Sequence, residues 1–204
     1  VSDTMMPPMA DAALGDWKLL GQVKRCFLLV EAEDALLIID QHAAAEKILY
    51  EKILAHAGES KVQRLLIPLV VEVSAGQFAL AMEHQETLAK VGIDIEEFGE
   101  RTLRLTGVPQ DLDVRDSKEF LFGIIQDMQD EAFDKLPNLE ERQQRLAKYA
   151  ACRGAVKFND PLTRPEQIQL LIDMRHYHVT ACCHGRPVMK KLTIEQLRKE
   201  FHRP

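Results

Sequence analysis

Long apolar runs are missing from this chain of 204 residues. No stretch approaches the roughly 18 residues that a membrane helix needs, so no transmembrane span is expected. The first residues have neither a basic start nor an apolar core, which argues against a signal peptide. Cysteine is scarce: the four residues, two of them adjacent at Cys182 and Cys183, do not look like a secreted disulfide framework. Reduced thiols in the cytoplasm are expected instead. An excess of positive charge is also lacking. Lys and Arg number 26 against 32 Asp and Glu, for a formal charge of −6, without the basic footprint of a protein that grips nucleic acid unaided. If the chain acts on DNA, something else must bring it there. Repeats and low-complexity tracts are absent, and the one tryptophan, Trp17, reads as an anchor on the core, not a stacking platform.

What is present is a globular composition, 46% hydrophobic and 28% charged. Residues 1–16, which include Met5-Met6-Pro7-Pro8-Met9, read as the end of a linker, so a longer protein is expected. Gln22–Val30 and Ala35–Ile39 read as strands joined by a turn at Glu31–Asp34. A helix is predicted from Gln41 to about His56, with Ile48, Leu49, Ile53 and Leu54 as its apolar stripe. Leu65–Val73 reads as a further strand. Ser74-x-x-Gln77 opens a helix that Gly92 stops, and Ile93–Phe98 with Thr102–Val108 reads as a hairpin. Further helices are predicted from about Ser117 to Phe133 and from Asn138 to Tyr149. Ala151–Gly154 then restarts the chain, Thr163-x-x-Glu166 and Thr193-x-x-Gln196 cap two more helices, and His178–Cys183 and Val188–Leu192 resemble short strands. These signals predict an α/β (α+β) chain of two subdomains. Residues 17–73 and 151–204 would form a sheet-and-helix platform, and 74–150 an inserted external module.

The run Asp40-Gln41-His42-Ala43-Ala44-Ala45-Glu46 carries the chemistry. Asp40 falls where a strand becomes a helix, at an N-cap. His42 and Glu46 then share one helix face. Carboxylates favour magnesium or manganese, imidazole suits zinc or manganese, and the thiolates of Cys152 and Cys182-x-His184 favour zinc. Asp40, His42, Glu46, Cys152, Cys182 and His184 exceed one tetrahedral shell. Two ions a few Å apart would use the set, one generating hydroxide and the other steadying a leaving oxygen in phosphodiester hydrolysis. Gly185 would let backbone approach, and the Arg186 fork could meet a phosphate. Each residue also has a plainer use: Asp40 as a cap, His42 and Glu46 as a helical pair, Cys152 as a small buried hydrophobe. Glu51 lies nine residues after His42, about half a turn round the helix, and is expected in a supporting role. Cys183 should point away from Cys182 and is left out of the ligands. Gln63-Arg-Leu-Leu-Ile-Pro68 would fill a groove on a partner, or simply begin a core strand.

Taken together, Asp40-Gln-His-Ala-x-x-Glu46-x-x-x-x-Glu51 resembles the endonuclease signature of the MutL family of DNA mismatch-repair proteins. Ala151-Cys152-Arg153 resembles its second motif, and Cys182-Cys-His184-Gly-Arg-Pro187 its third, normally Cys-Pro-His-Gly-Arg-Pro. Phe201-His-Arg203 resembles a short terminal Phe-x-Arg motif. The resemblance implies a C-terminal platform that homodimerises and carries a latent metal-dependent nickase. It implies Asp40, His42 and Glu46 as catalytic residues. It implies Asp40, His42, Glu46, Cys152, Cys182 and His184 as metal ligands, with zinc tightly held and manganese, or else magnesium, as activator. Glu51, Arg153 and Arg186 would support the site or meet phosphate. Gln63, Leu66, Ile67 and Pro68 would dock the replication sliding clamp. Implied partners are duplex DNA, bound weakly, a mismatch-recognition protein and an N-terminal ATPase region of the same protein, in a bacterial cytoplasm at the nucleoid. No nucleotide site is expected in this chain. Cys183 departs from the usual Pro, removing a rigid φ or adding a competing thiolate. The alternative from another class is a non-catalytic dimerisation and docking module with a structural zinc. An unrelated zinc hydrolase of small molecules is disfavoured by the combined motifs.

Overall fold

The computed structural model describes residues 14–57, 62–110, 112, 117–157 and 159–203. Helices and antiparallel sheets give the α+β class that the sequence predicts. The chain divides into two compact units, one made of residues up to Ile48 and from Val156 onward, the other of Leu49–Ala155.

The first unit holds a four-stranded antiparallel sheet in the order β1-β2-β3-β7: β1 (Lys18–Val23), β2 (Phe27–Ala32), β3 (Ala35–Asp40) and β7 (Met189–Thr193). In β3, Ala35, Leu37 and Ile39 are buried while Leu36 and Ile38 are half-buried, the period of two of a strand with one face on a core. That core also holds Leu28 and Val30 of β2, and Ile168, Leu171 and Met174 of helix α7 (Arg164–His176). The expected single strand Gln22–Val30 is two strands. Lys24 and Arg25 adopt left-handed backbone (φ 52° and 54°), and the Cys26 N–H donates to the Val23 carbonyl at 3.0 Å, which reverses the chain. Basic residues carry no turn signal, so composition could not show this. The expected strand His178–Cys183 is not a strand either; it makes a single bridge, Ala181 to Pro187, around a turn.

Of the expected linker, residues 1–13 lie outside the described residues, and its last residues are tied down. Leu14 is fully buried. Arg175 Nη1 donates to the Leu14 carbonyl (2.8 Å) and to Asp16 Oδ1 (2.6 Å). The same guanidinium lies 5.2 Å from the ring centre of Trp17, which packs on the core as expected.

The second unit holds a three-stranded antiparallel sheet in the order β4-β6-β5: β4 (Val62–Glu72), β6 (Thr102–Pro109) and β5 (Asp94–Glu97). Around it are α2 (Ala75–Glu83), α3 (Gln85–Lys90), α4 (Ser117–Met128), α5 (Glu131–Asp134) and α6 (Leu139–Gly154). Leu103, Leu105, Ile93, Leu121, Ile124 and Leu146 are fully buried in its core. Ser74 and Gln77 form the expected capping box, but the helix they open breaks at His84 (φ −104°), whose buried ring stands edge-on to Phe133 with centroids 5.1 Å apart. Helix α6 runs past Tyr149 to Gly154 because Ala147, Ala150 and Ala151 continue its buried stripe. The Ala151–Gly154 segment, read from sequence as the opening of the last block, is therefore a helix end. Strand β4, read as part of the platform, pairs with β6 and lies in the second unit. Helix α1 (Gln41–Ala55) begins in the first unit and ends in the second. A final short helix, α8 (Ile194–Glu200), opens on the expected Thr193/Gln196 capping box. Among the described residues no helix is long and apolar enough to cross a membrane.

Candidate metal centre

Strand β3 hands over to α1 at Asp40. The Asp40 N–H donates to the Val188 carbonyl (2.9 Å), and its Oδ1 accepts from the Ala43 N–H (3.0 Å). The second bond is an N-cap, as the sequence predicts. A carboxylate has two oxygens, so a cap on one leaves the residue able to ligate with the other.

One turn later, His42 and Glu46 face each other at the start of α1. His42 Nε2 lies 3.4 Å from Glu46 Oε1, and Glu46 Oε2 lies 4.0 Å from His184 Nδ1. Glu46 is buried, with its carboxylate flanked by two imidazoles, those of His42 and His184, from segments far apart in sequence. His42 Nδ1 is 2.7 Å from the Val156 carbonyl. A carbonyl only accepts, so Nδ1 carries the hydrogen, and in the neutral ring Nε2 then presents its lone pair towards Glu46.

The turn bearing Cys182 and His184 is built by main-chain bonds. The Gly185 N–H donates to the Cys182 carbonyl (2.9 Å), and the Cys182 N–H to the Arg186 carbonyl (2.9 Å). Gly185 has φ +78° with open space where a Cβ would sit, so it is needed for its backbone angle and not for close approach. Cys182 is buried, and its Sγ accepts from the His184 N–H at 3.4 Å. The Cys183 thiol donates to the Glu46 carbonyl at 3.8 Å. Arg186 is exposed on this turn.

The donor types, carboxylate, imidazole and thiol, are those that take a divalent ion, and one pair has the spacing of a coordination shell. Tetrahedral zinc with bonds of about 2.0–2.1 Å separates neighbouring ligand atoms by roughly 3.4 Å, and His42 Nε2 and Glu46 Oε1 stand 3.4 Å apart. The spacing is longer than an ordinary hydrogen bond and matches one edge of such a shell.

Other expected residues sit in the second unit. Cys152 is half-buried on the last turns of α6, and Glu51 is half-buried on α1. Arg153 donates Nε and Nη2 to the two oxygens of Asp127 (2.7 and 2.8 Å), a bidentate pair whose hydrogen bonds, with the Asp127 charge, hold the guanidinium firmly protonated. A Cβ on Gly123 would fall 2.3 Å from that guanidinium, so the glycine makes room for it. Gln63, Leu66, Ile67 and Pro68 lie on the surface. Pairing of β4 with β6 is interrupted between Arg64 and Leu69, and Leu66 and Ile67 are left 98% and 82% exposed. The reading of this segment as the start of a core strand therefore fails for Leu66 and Ile67.

Two participants went unseen in the sequence. The Val156 carbonyl has no residue-type signature. Gln41 stands inside the signature run, but nothing in the spacing distinguishes it; its side chain is fully buried and hydrogen-bonded.

Comparison with known proteins follows the same line. A family model described as the MutL C terminal dimerisation domain matches residues 20–162. A DNA mismatch repair protein MutL of Koribacter versatilis (strain Ellin345) is 36% identical over 199 residues, covering 96% of this chain and 30% of that protein. One of Symbiobacterium thermophilum is 35% identical over 188 residues (90% and 30%), and one of Clostridium botulinum (strain Okra / Type B1) 34% over 196 residues (92% and 28%). The chain spans about three tenths of the length of these curated relatives.

Proposed function

We propose, from the premise that this chain belongs to the MutL C-terminal dimerisation domain family, that it is a latent metal-dependent endonuclease that nicks one strand of duplex DNA in mismatch repair. One observation carries the reading: the buried Glu46 carboxylate lies between His42, at ligand-to-ligand spacing of 3.4 Å, and His184, at 4.0 Å. A dimerisation platform has no need of a buried acid between two imidazoles, whereas an ion does.

Asp40, His42, Glu46 and His184 are the proposed ligands in the first unit, with Cys182 as a thiolate beside them. Cys152 is carried over from the family's second motif. When bound, divalent ions would supply Lewis-acid stabilisation of a phosphodiester and acidify water. Zinc is proposed as the tightly held ion and manganese, or else magnesium, as the activator. The chain's own residues do the rest. Val156 fixes the His42 ring through Nδ1, Asp40 is fixed by the α1 cap, and exposed Arg186 offers its fork to a DNA phosphate.

Three features support the setting of this activity. The outer face of the first sheet carries an apolar patch beside the charged Lys18, Glu31 and Lys190: Leu36 and Ile38 are half-buried, Leu20 is 49% exposed and Phe27 36%, a surface suited to a second copy of the chain. The bulged Leu66-Ile67 suits the replication sliding clamp. The charge of −6 leaves DNA delivery to that clamp, to the rest of the protein with its proposed N-terminal ATPase region, and to a mismatch-recognition protein. Such a module would act in the cytoplasm at the nucleoid.

Nicking of supercoiled plasmid tests the proposal. With manganese alone the chain should cut feebly, and addition of clamp should raise the rate; Asp40→Asn should abolish it. Vigorous cutting without clamp would refute latency. Metal uptake with no cutting under any condition would leave the alternative, a docking module with structural zinc.

A further inference from the structure

Gln41 is the first residue of α1, between Asp40 and His42, and is fully buried. Its Nε2 donates to the carbonyls of Arg25 (2.8 Å) and Asp160 (3.0 Å), while its Oε1 accepts from Gln22 Nε2 (2.5 Å). Its main-chain N–H donates to the Cys26 carbonyl (3.1 Å). One planar amide thus joins the β1–β2 turn, the start of α1 and the segment after Val156. That segment is closed at its far end: the Asp160 N–H donates to the Lys157 carbonyl (3.1 Å), and Asp160 Oδ2 accepts from the Lys157 N–H (3.0 Å). Val156, the residue just before this closed turn, supplies the carbonyl that takes the His42 Nδ1 hydrogen.

We infer that Gln41 is a positioning residue for the ion site: it fastens the 156–160 segment so that the Val156 carbonyl holds His42 in the Nδ1–H tautomer with Nε2 turned to the ion. The inference rests on the metal reading above. The position demands two donors and an acceptor in one plane, which Gln supplies. Glu would set a carboxylate against two carbonyls, and Leu would remove one donor from each, leaving Arg25 only the Asn159 N–H (3.1 Å) and Asp160 only the Gln22 amide (3.3 Å). Partners behind a metal-bound histidine commonly govern affinity tenfold to hundredfold.

The test uses the chain of 204 residues and the variants Gln41→Leu, Gln41→Glu and Asp160→Ala. Asp160 is half-buried, and Ala there removes only the Oδ2 bond from the Lys157 N–H while keeping the main-chain bonds, so this variant loosens the turn and keeps the test decisive if the Gln41 variants do not fold. Cobalt(II) is titrated into each, followed by its visible absorption. Long-range ¹H–¹⁵N spectra of the metal-free proteins read the His42 tautomer. In the parent the Nδ1–H form should dominate. In the variants it should give way to a mixture, with cobalt affinity lower by about tenfold to hundredfold, while Asp160→Ala melts within a few degrees of the parent. An unchanged tautomer together with unchanged affinity would overturn the inference. Should the parent itself take up no cobalt, the metal reading fails, and the tautomer comparison alone still decides the role of Gln41.

Discussion

Asp40 has two roles that substitution can separate. Its Oδ1 caps α1 through the Ala43 N–H at 3.0 Å, and it is proposed as an ion ligand. Asn caps helices as well as Asp, whereas Ala leaves the amide unpaired and costs about 1 kcal/mol, a fall of about 2–4 °C in melting midpoint for a chain of this size. Asn lacks the charge that a hard cation needs. Asp40→Asn should therefore melt within about 1 °C of the parent, and Asp40→Ala a few degrees lower. Both should lose manganese-dependent nicking by more than the roughly hundredfold that loss of a supporting partner causes. Differential scanning calorimetry beside a clamp-stimulated plasmid assay reads both quantities. Nicking that survives Asp40→Asn would refute the ligand role. An Asp40→Asn chain as unstable as Asp40→Ala would refute the separation of cap from chemistry.

Replacing Leu66 and Ile67 by Ser should leave stability within about 0.5 kcal/mol, since both lie in solvent, yet abolish retention on immobilised sliding clamp; unaltered retention would refute the docking role. In the second unit, burial holds the His84 imidazole below its ordinary value, with the Glu83 charge opposing. The unfolded chain then takes up the proton first as pH falls below about 6.5. Stability is full above that pH and lost below it, and urea midpoints at pH 7.5 and 5.5 should differ less in His84→Gln than in the parent. Gly123→Ala would drive a methyl into the Arg153 guanidinium and should cost about 1–3 kcal/mol. The same change in an Arg153→Ala background should be nearly free, and equal penalties in both backgrounds would contradict the notch.

Local signals were the legible ones. The β3–α1 junction, the Ser74/Gln77 and Thr193/Gln196 boxes and the β5–β6 hairpin each depend on a few neighbouring residues, and all were readable. The turn at Lys24–Arg25 was not, because left-handed basic residues leave no compositional mark. The break at His84 follows tertiary packing on Phe133, and the place of β4 follows its pairing with β6. Both are long-range effects that override a locally good pattern. In the site, spacing placed His42 and Glu46 on one face, and the motif resemblance linked them to His184. The Val156 carbonyl and the fully buried Gln41 amide escaped notice because their importance lies in backbone geometry and in burial.

Metal content per chain, measured after exhaustive dialysis against zinc, tests the central claim most directly. The account predicts at least one ion per parent chain, and its loss when Glu46 and His184 are both replaced by Ala in a chain that still folds. Undiminished metal in that double variant, or none in the parent, would contradict it.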